Sequence, residues 1–428
     1  MSGSHFETAD IAIVGAGFAG SAAALVLARA GHRLSVIDPH RRYPADFRCE
    51  KLSPEQVRLA GRLGLRVAIR CQAREVCEVV VAHDGRPVDV RATRELCLSY
   101  DTMVNAVRDA WPGGVDFHEG RVAEIATSGD RQHLVLGNGR RIEARLVVLA
   151  TGPGQKLRAA LGMRRRMIRP DHSICVGFDM VTAGGKPLSP RALTYHGERA
   201  GDGVAFATFF PLGQATRCNL FGYFEPTSAI VTDLRRRPLE TVFALLPGLR
   251  DVLGDVRVAG PPAIRITDLY RMEDHLRDGV VLIGDALHSS CPVTGTGVSR
   301  MLTDVEQLCS IHVPQWLATP GMSQAKIAAF YADERKQQVD RASAARAEHD
   351  RRHATDRSWT THAWRLAALA KARAHFTWTG REPAALSYRT PEHAIAAAAP
   401  SISSRRGAPV AQDRAASIRL RSAGGRQG

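Results

Sequence analysis

A glycine-rich turn between an apolar strand and an Ala/Leu-rich helix is the feature that most constrains this fold. The run from Asp10 to Asp38 reads DIAIVGAGFAGSAAALVLARAGHRLSVID, so a second apolar strand follows the helix. That order makes a complete βαβ unit. In the pattern Gly15-x-Gly17-x-x-Gly20, the three glycines provide a tight turn, a bare backbone for a pyrophosphate, and close packing of helix on strand.

An acidic residue completes the nucleotide-binding pattern. Asp38 ends the second strand, about 20 residues after the glycines, where a carboxylate accepts hydrogen bonds from ribose hydroxyls. The N-terminus of the helix, at Phe18 and Ala19, would face the phosphates. The pattern predicts a dinucleotide site built from Gly15, Gly17, Phe18, Ala19, Gly20 and Asp38.

Two later apolar runs are predicted to be buried strands that end in small residues. Arg145–Ala150 leads into Thr151-Gly152, and Gly279–Ile283 leads into Gly284-Asp285. The stretches between these strands alternate β-branched and aromatic residues with Pro/Gly turns, which is typical of a half-exposed antiparallel sheet. We therefore expect an α/β protein, in which an antiparallel-sheet substrate domain is inserted into a discontinuous Rossmann-like domain.

The predicted domain boundaries lie where the sequence changes from buried-strand runs to this alternating pattern. The nucleotide-binding domain would comprise 1–69, 99–167 and 269–312, and the inserted domain 70–98 and 168–268. A helical segment rich in Ala and Arg would follow at 313–395, and then a disordered basic tail at 396–428.

Charge and cysteine usage narrow the class of protein. Lys plus Arg total 58 against 43 Asp plus Glu, and this net charge of +15 admits nucleic acid, a membrane surface or an acidic small molecule as a partner. Much of the excess lies in the C-terminal segment and tail. No apolar run is long enough to span a membrane, and a secretion signal is missing. The eight cysteines show no metal-ligand spacing, so we expect a cytoplasmic protein with reduced thiols and no metal.

A second motif follows the strand at Gly279–Ile283. It reads GDALHSSCPVTGTGVS from Gly284 to Ser299, and Asp304 follows on the next predicted helix. A carboxylate at the end of a strand places a hydrogen-bond acceptor beside a polyol. A proline and two glycines at the start of a helix leave bare N–H groups beside an anionic ring. A reduced flavin needs both the acceptor for its polyol and the N–H groups for its anionic ring.

Together the two motifs make the chain resemble the flavoprotein monooxygenases of the aromatic hydroxylase type. The family segment GDAAHxxPPxxGxGxN aligns here without gaps. The resemblance implies FAD as cofactor, with Asp285 on the ribityl chain and the following loop against the flavin ring. Within this segment it assigns seven residues to the cofactor: Gly284, Asp285, Pro292, Gly295, Thr296, Gly297 and Val298.

Two further segments bear on the resemblance. FRCEKL at 47–52 is similar to a family segment that places an arginine near the flavin, which assigns Arg48 to the cofactor. The alternative is a solvated charge cluster at the start of a helix.

Where the family has Asp-Gly, this chain has Thr151-Gly152-Pro153. This change keeps Gly152 at the flavin but predicts slow direct reduction by NAD(P)H.

The substrate side is predicted from an aromatic run. AFATFFPLG at 205–213 alternates and then reaches an aromatic-proline step, which in the resembled family faces the cavity above the flavin. The candidate substrate contacts are Tyr195, Phe209, Phe210 and Tyr223. His288 and Pro292 are weak candidates for a part in the flavin-centred chemistry, since a histidine there could act as acid or base. No conventional nucleophile or acid/base pair stands out.

The resemblance implies FAD-dependent monooxygenation of a small aromatic or natural-product-like molecule. NAD(P)H or a partner reductase would reduce the flavin, and a flavin C4a-hydroperoxide formed with O2 would transfer oxygen in a cavity that excludes water.

Other functions stay open at this point. Among enzymes, the alternatives are a flavin halogenase or an isoprenoid-reductase-like flavoprotein, although the WxWxIP motif of tryptophan halogenases is missing around Trp359 and Trp364. Outside enzymes, the alternative is a flavin-binding or RNA-associated partner protein. RNA binding is disfavoured because no aromatic residues interleave with the arginines of the tail. The substrate, the electron donor and the oligomeric state are not determined by the sequence.

Overall fold

The computed structural model describes residues 6–199 and 201–358. The predictions for Trp359, Trp364 and the basic tail at 396–428 lie outside the described residues. The strands are β1 (Glu7–Val14), β2 (Leu34–Asp38), β3 (Lys51–Leu52), β4 (Arg74–His83), β5 (Arg86–Cys97), β6 (Val115–Glu119), β7 (Val122–Ala126), β8 (Gln132–Leu136), β9 (Arg141–Leu149), β10 (Arg164–Thr182), β11 (Ala192–His196), β12 (Val204–Leu212), β13 (Ala215–Gly222), β14 (Val256–Val258), β15 (Ala263–Glu273) and β16 (Val280–Leu282).

The α-helices of the described chain alternate with these strands and then dominate after residue 296. They are α1 (Phe18–Arg29), α2 (Pro54–Arg62), α3 (Arg66–Gln72), α4 (Tyr100–Asp109), α5 (Lys156–Ala160), α6 (Ala229–Arg236), α7 (Pro238–Leu245), α8 (Leu249–Leu253), α9 (Gly297–Val305), α10 (Val313–Leu317), α11 (Gln324–Ala332) and α12 (Glu334–Thr355). A π-helical stretch, Glu306–His312, joins α9 to α10.

The first sheet carries the nucleotide-binding pattern. Its seven strands run in the order β6-β2-β1-β9-β8-β7, and β16 pairs with the C-terminal half of β9. β1, β2, β6, β9 and β16 are mutually parallel, whereas β7 and β8 return as an antiparallel meander. Every residue of β2 is buried because helices cover this sheet. The carboxyl ends of β1, β9 and β16 therefore meet at one edge, where ligands bind in open α/β sheets.

The second sheet contains the strands predicted for the inserted domain. Its nine strands run in the order β14-β10-β13-β12-β11-β4-β5-β3, and β15 pairs with β10. One neighbouring pair, β4 and β11, is parallel, so the sheet is mixed rather than purely antiparallel as expected. Helices α6, α7 and α8 cover one face and bury a hydrophobic core there. The other face looks toward the first sheet. The exact domain boundaries remain a prediction.

The observed helices follow the pattern expected after residue 312. α10, α11 and α12 lie in the described part of the predicted helical segment. Within the described residues, no helix is both long enough and apolar enough to cross a membrane. All eight cysteines are free thiols, but Cys71 and Cys77 are exposed, so they are not the small buried hydrophobes that most cysteines are.

Candidate cofactor site

The three glycines after β1 serve different purposes. Gly15 has a φ of +91°, and a Cβ there would lie 2.7 Å from the carbonyl oxygen of Ala150. A Cβ on Gly20 would collide with the carbonyl oxygen of Gly15, so packing requires both glycines. Gly17 differs, since its φ of −64° and ψ of −168° suit any L-residue. The nearest atom to a Cβ on Gly17, the hydroxyl oxygen of Tyr100, is 3.5 Å away. The protein itself therefore does not require glycine at position 17, which fits a space reserved for a ligand.

Asp38 lies under this turn. Its Oδ2 accepts a hydrogen bond from the Ala16 amide at 2.7 Å, and its Oδ1 accepts one from the His40 amide at 3.0 Å. The carboxylate is buried, and the Nη2 atom of Arg108 lies 3.5 Å from Oδ1. Asp38 thus shapes the turn from within. Its predicted contact with ribose would use the remaining lone pairs.

Arg108, which the sequence analysis missed, ties this turn to α4. Its guanidinium donates to the carbonyl oxygens of Ala16, His40 and Arg41 and is almost fully buried. An arginine near the end of a predicted helix carries no sequence signal for such a role.

Tyr100 contacts the start of α1. Its hydroxyl accepts a hydrogen bond from the Phe18 amide at 3.2 Å, so this first helical amide already has a partner. The contact of Phe18 with the cofactor stays a prediction. The amides of Ala19 and Gly20, in the first turn of α1, have no acceptor within the helix.

Asp285 follows β16 in a one-turn 3-10 helix, Gly284–Ala286. The backbone of this turn is held at two points, by Tyr270 Oη donating to the Asp285 carbonyl at 2.6 Å and by Asp304 Oδ2 accepting from the Gly284 amide at 2.8 Å. The Asp285 carboxylate is 38% exposed. Its backbone is therefore fixed while its side chain faces the crevice, as a ribityl-binding acid requires.

Arg48 lies beside Asp285 and not in a solvated cluster. Its Nη1 is 3.7 Å from Asp285 Oδ2, and its Nε is 2.5 Å from Asp46 Oδ2. Glu50, two residues later, is buried on the second sheet, 3.3 Å from Arg217. Burial raises the pKa of the Glu50 carboxyl, although Arg217 opposes this. The segment from Asp46 to Glu50 thus crosses the crevice between the two sheets.

The loop after Asp285 is held from the protein side. The Gly295 amide donates to the Pro292 carbonyl at 3.2 Å, and the Thr296 amide donates to Thr294 Oγ1 at 3.2 Å. We predicted Gly295 as a donor to the flavin ring, but its amide is already used. The amides of Gly297 and Val298 begin α9 and have no acceptor within the helix, so they are the ones available to an anionic ring.

Gln56 supports the same loop and was missed by the sequence analysis. Its side chain forms a capping box with Ser53 at the start of α2, and its Nε2 donates to the Gly295 carbonyl at 2.9 Å. The Ser-Pro-Glu-Gln run predicts the helix cap but not the contact with Gly295, which lies 239 residues away.

His288 belongs to a buried ionic network and does not face the crevice. Its Nε2 is 3.1 Å from Asp340 Oδ1, and its carbonyl oxygen accepts a hydrogen bond from Arg300 Nη2 at 2.5 Å. Burial lowers the pKa of His288, and the Arg300 cation adds to this, although Asp340 opposes it. These contacts place His288 beneath the loop, and its part in the flavin-centred chemistry stays a prediction.

The Thr151-Gly152 turn lies next to Asp285 through a buried arginine. Arg158 is inaccessible to solvent, and it donates to the carbonyl oxygens of Gly154, Asp285 and Ala286. Burial lowers the pKa of Arg158. Arg158 thus clamps the turn at Gly152 to the turn at Asp285. Sequence reasoning did not single it out.

The predicted substrate residues separate onto two faces of the second sheet. Neighbouring strand residues point in opposite directions, so Phe209 and Phe210 cannot both face the crevice. Phe209 and Tyr195 lie in the core against α6–α8, and Tyr195 Oη is hydrogen-bonded to Glu198 and to the Gly85 amide. These two assignments are corrected. Phe210 points to the opposite side of the strand, where it is 1% exposed and packs with Val76, Val79, Cys97 and Ala192.

Tyr223 reaches the cofactor loop. It belongs to one buried cluster with Cys291 and Val293, which flank Pro292, and Phe206 and Phe221 of the sheet pack against this cluster. The hydroxyl of Tyr223 is 3.9 Å from Cys291 Sγ. The loop at Pro292 therefore lies directly on the aromatic face of the second sheet.

A family model described as an FAD binding domain matches residues 8–345, which is most of the chain. The chain belongs to this FAD-binding family. It is an FAD-dependent oxidoreductase, and the match spans both the glycine-rich turn and the loop at Asp285, as expected from the resemblance.

Relatives of this FAD-binding protein include hydroxylases. The ubiquinone hydroxylase UbiL of Rhodospirillum rubrum is 26% identical over 329 residues, which cover 72% of this chain and 73% of that protein. Among solved structures, the p-nitrophenol 4-monooxygenase PnpA of Pseudomonas putida DLL-E4 superposes with a TM-score of 0.68 at 20% identity, covering 87% of this chain and 94% of that one. The halogenase PltM in complex with FAD gives a TM-score of 0.65 at 16% identity, covering 87% and 84%. The two structural likenesses show the shared fold.

Proposed function

We propose that this FAD-dependent oxidoreductase is a monooxygenase that hydroxylates an uncharged phenol or quinol ring with O2. The observation that carries the proposal is the contact between the loop at Pro292 and the aromatic face of the second sheet, through Val293, Tyr223 and Phe206. A flat ring held against that face would lie next to the flavin ring. UbiL and PnpA, by their names, act on a quinone and on a nitrophenol.

FAD, when bound, supplies the two-electron chemistry that activates O2. The residues of the chain bind and orient it. Asp285 accepts hydrogen bonds from the ribityl hydroxyls, and the bare turn at Gly17 takes the pyrophosphate. The amides of Gly297 and Val298, with the positive end of the α9 dipole, stabilise negative charge on the reduced ring. The aromatic side chains of Phe206, Phe221 and Tyr223 would exclude water from the reacting atoms.

The charges of the crevice face support an uncharged substrate. Arg217 lies on this face, and it is 3.3 Å from both Glu50 and Asp179. Its charge is therefore already balanced, so a substrate carboxylate would gain little from it. Asn219, adjacent on the same strand face, donates to Glu50 Oε2 at 3.1 Å. This arrangement favours a neutral hydroxyl or carbonyl group over an acid.

We further propose that NAD(P)H alone reduces the enzyme slowly. Thr151 stands where the family has an aspartate, and its hydroxyl is buried without a hydrogen-bond partner among the described residues. Bound substrate or a separate flavin reductase would relieve the slow step. Stopped-flow reduction under anaerobic conditions measures this, and fast NADPH oxidation without substrate would contradict it.

Product analysis with isotopically labelled O2 tests the proposed reaction. The FAD-loaded enzyme is supplied with NADPH, or with NADH and a flavin reductase, and with matched pairs of a neutral phenol and the same phenol bearing a carboxylate. We expect one labelled oxygen atom in the product of the phenol and little turnover of the acid. A halogenated product formed in the presence of chloride or bromide would favour the halogenase alternative.

A further inference from the structure

One face of helix α12 contacts the cofactor loops at successive turns. Residues spaced by three or four positions lie on the same face of a helix. On α12 this face comprises Lys336, Asp340, Ser343 and Ala347, all partly or fully buried.

Two of these residues form the buried ionic network beneath α9. Lys336 Nζ is 2.7 Å from Asp304 Oδ1, and both side chains are almost completely buried. Asp340 Oδ1 is 3.2 Å from Arg300 Nε, while its Oδ2 is 3.0 Å from Lys336 Nζ. Since Asp304 and Arg300 are both on α9, these contacts fix α12 against the helix whose N-terminus faces the flavin ring.

Ser343 contacts the ring loop itself through a chain of hydroxyl groups. Thr294 Oγ1 donates to the Cys291 carbonyl at 2.7 Å, which uses its only proton. In its 2.7 Å contact with Thr296, Thr294 is therefore the acceptor and Thr296 the donor. The proton of Thr296 is then used as well, so Thr296 accepts in its 2.7 Å contact with Ser343. Donation runs in one direction, from Ser343 to Thr296 to Thr294 to the Cys291 carbonyl.

This series of hydroxyl groups determines the direction of the backbone amides in the loop. Thr296 lies between Gly295 and Gly297, and its hydroxyl is directed toward α12 by Ser343. Glycine on both sides places no restraint on the peptide planes, since glycine tolerates many φ and ψ values. The hydroxyl chain adds a side-chain restraint to the hydrogen bonds that already hold Gly295, and the first amides of α9 are then held in one direction.

We propose that Ser343 is a positioning residue for the flavin ring, acting through Thr296 on the amides of Gly297 and Val298. The proposal rests on the placement of the ring against these amides in the proposed function. It goes beyond that function by assigning a role to a residue of α12.

Ser343→Ala removes the first donor of the chain and keeps a good helix-forming residue. One neutral hydrogen bond has a net contribution of about 0.5–1.5 kcal/mol, so we expect the Kd for FAD to rise about two- to tenfold. The Kd for ADP, which occupies only the glycine-rich turn, should not change. The absorption maximum and the midpoint potential of the bound flavin should shift, because the amides beside the ring lose their fixed direction.

Thr296→Val keeps the shape of the side chain but breaks the chain in the middle. It leaves both the Ser343 donor and the Thr294 acceptor without this partner, so its effect on FAD affinity should exceed that of Ser343→Ala. The double variant should be no worse than Thr296→Val alone, since both changes interrupt the same chain. Thr296→Ser, which keeps the hydroxyl, should restore the spectrum. Gln338→Ala, on the exposed side of α12, is the matched control and should change nothing.

A Gly297→Val variant separates failure of this inference from failure of the proposed function. If Ser343→Ala and Thr296→Val both leave FAD affinity, spectrum and potential unchanged while Gly297→Val impairs flavin binding, the positioning role is wrong and the placement of the ring stands. If Gly297→Val also has no effect, the ring lies elsewhere and the proposed function loses its geometry. Equal losses of FAD and ADP affinity in Ser343→Ala would show a general structural role and would overturn the inference.

Discussion

Gly17 offers a direct separation of folding from cofactor binding. We expect Gly17→Ala to leave the apoprotein folded but to abolish tight FAD binding. The backbone angles at Gly17 suit alanine, and its Cβ would have no protein atom closer than 3.5 Å. Removing a glycine from such a position stabilises the folded state by about 0.4–1 kcal/mol, whereas alanine is a poorer N-cap residue than glycine by a comparable amount.

The two effects nearly cancel, so the change in free energy of unfolding should stay within about 1 kcal/mol. For a chain of this size that corresponds to a shift of no more than about 2 °C in Tm. The added methyl group, however, occupies the space into which the pyrophosphate must come. We expect the Kd for FAD to rise at least about a hundredfold, equivalent to about 2.8 kcal/mol.

The assay is a pair of measurements on the same preparation. Thermal unfolding of the apoprotein reports folding, and titration with FAD monitored by flavin fluorescence reports binding. Gly20→Ala is the contrasting variant, because its Cβ would collide with the Gly15 carbonyl oxygen and should prevent α1 from packing. Wild-type FAD affinity in Gly17→Ala, or an unfolded Gly17→Ala apoprotein, would refute this reasoning.

Three further predictions follow from named contacts. Asp285→Asn should weaken FAD binding by roughly ten- to a hundredfold, since hydrogen bonds to a charged group contribute about 1.5–3 kcal/mol. Turnover at saturating FAD should change far less. Unchanged FAD affinity with collapsed turnover would make Asp285 a chemical participant. Lys336→Met should lower the free energy of unfolding by about 3–5 kcal/mol, because it leaves buried Asp304 without its cation. Chemical denaturation measures this, and a decrease below about 1 kcal/mol would contradict it. Burial lowers the pKa of His172 to about 4, below its ordinary value of 6.5, so the unfolded chain binds this proton more readily than the folded one. Stability should therefore fall as the pH drops from 6.5 to 4, and His172→Phe should flatten that fall; an unchanged slope in the variant would contradict the assignment.

Much of the first sheet and its cofactor loops could be predicted from the sequence, for a physical reason. A strand, a glycine-rich turn and a helix are local in the chain, and the close approach of backbone to backbone at Gly15 and Gly20 allows no other residue. Strand ends followed by small residues, as at Gly152 and Gly284, mark the edge of a parallel sheet without knowledge of the strand order. The family match over residues 8–345 confirms the expectation of an FAD-binding oxidoreductase.

The second sheet was only partly accessible to sequence reasoning. Its alternating pattern predicts strands, but pattern alone does not say which alternate face is covered by helices and which faces the crevice. For that reason Tyr195 and Phe209 were assigned to the substrate, although they pack against α6–α8. The parallel pairing of β4 with β11 likewise depends on which strands meet across the sheet, and no local signal records it.

Only the tertiary structure shows which residues hold the loops of the cofactor site in place. Arg108, Arg158, Gln56 and Ser343 each bind a loop that lies far away in the chain, and their sequence surroundings are those of ordinary helices. Motif residues touch the ligand, so their spacing is constrained locally and can be read from the sequence. Supporting residues need only reach a backbone carbonyl or hydroxyl group, and many positions in a fold can do that, so packing determines which one does.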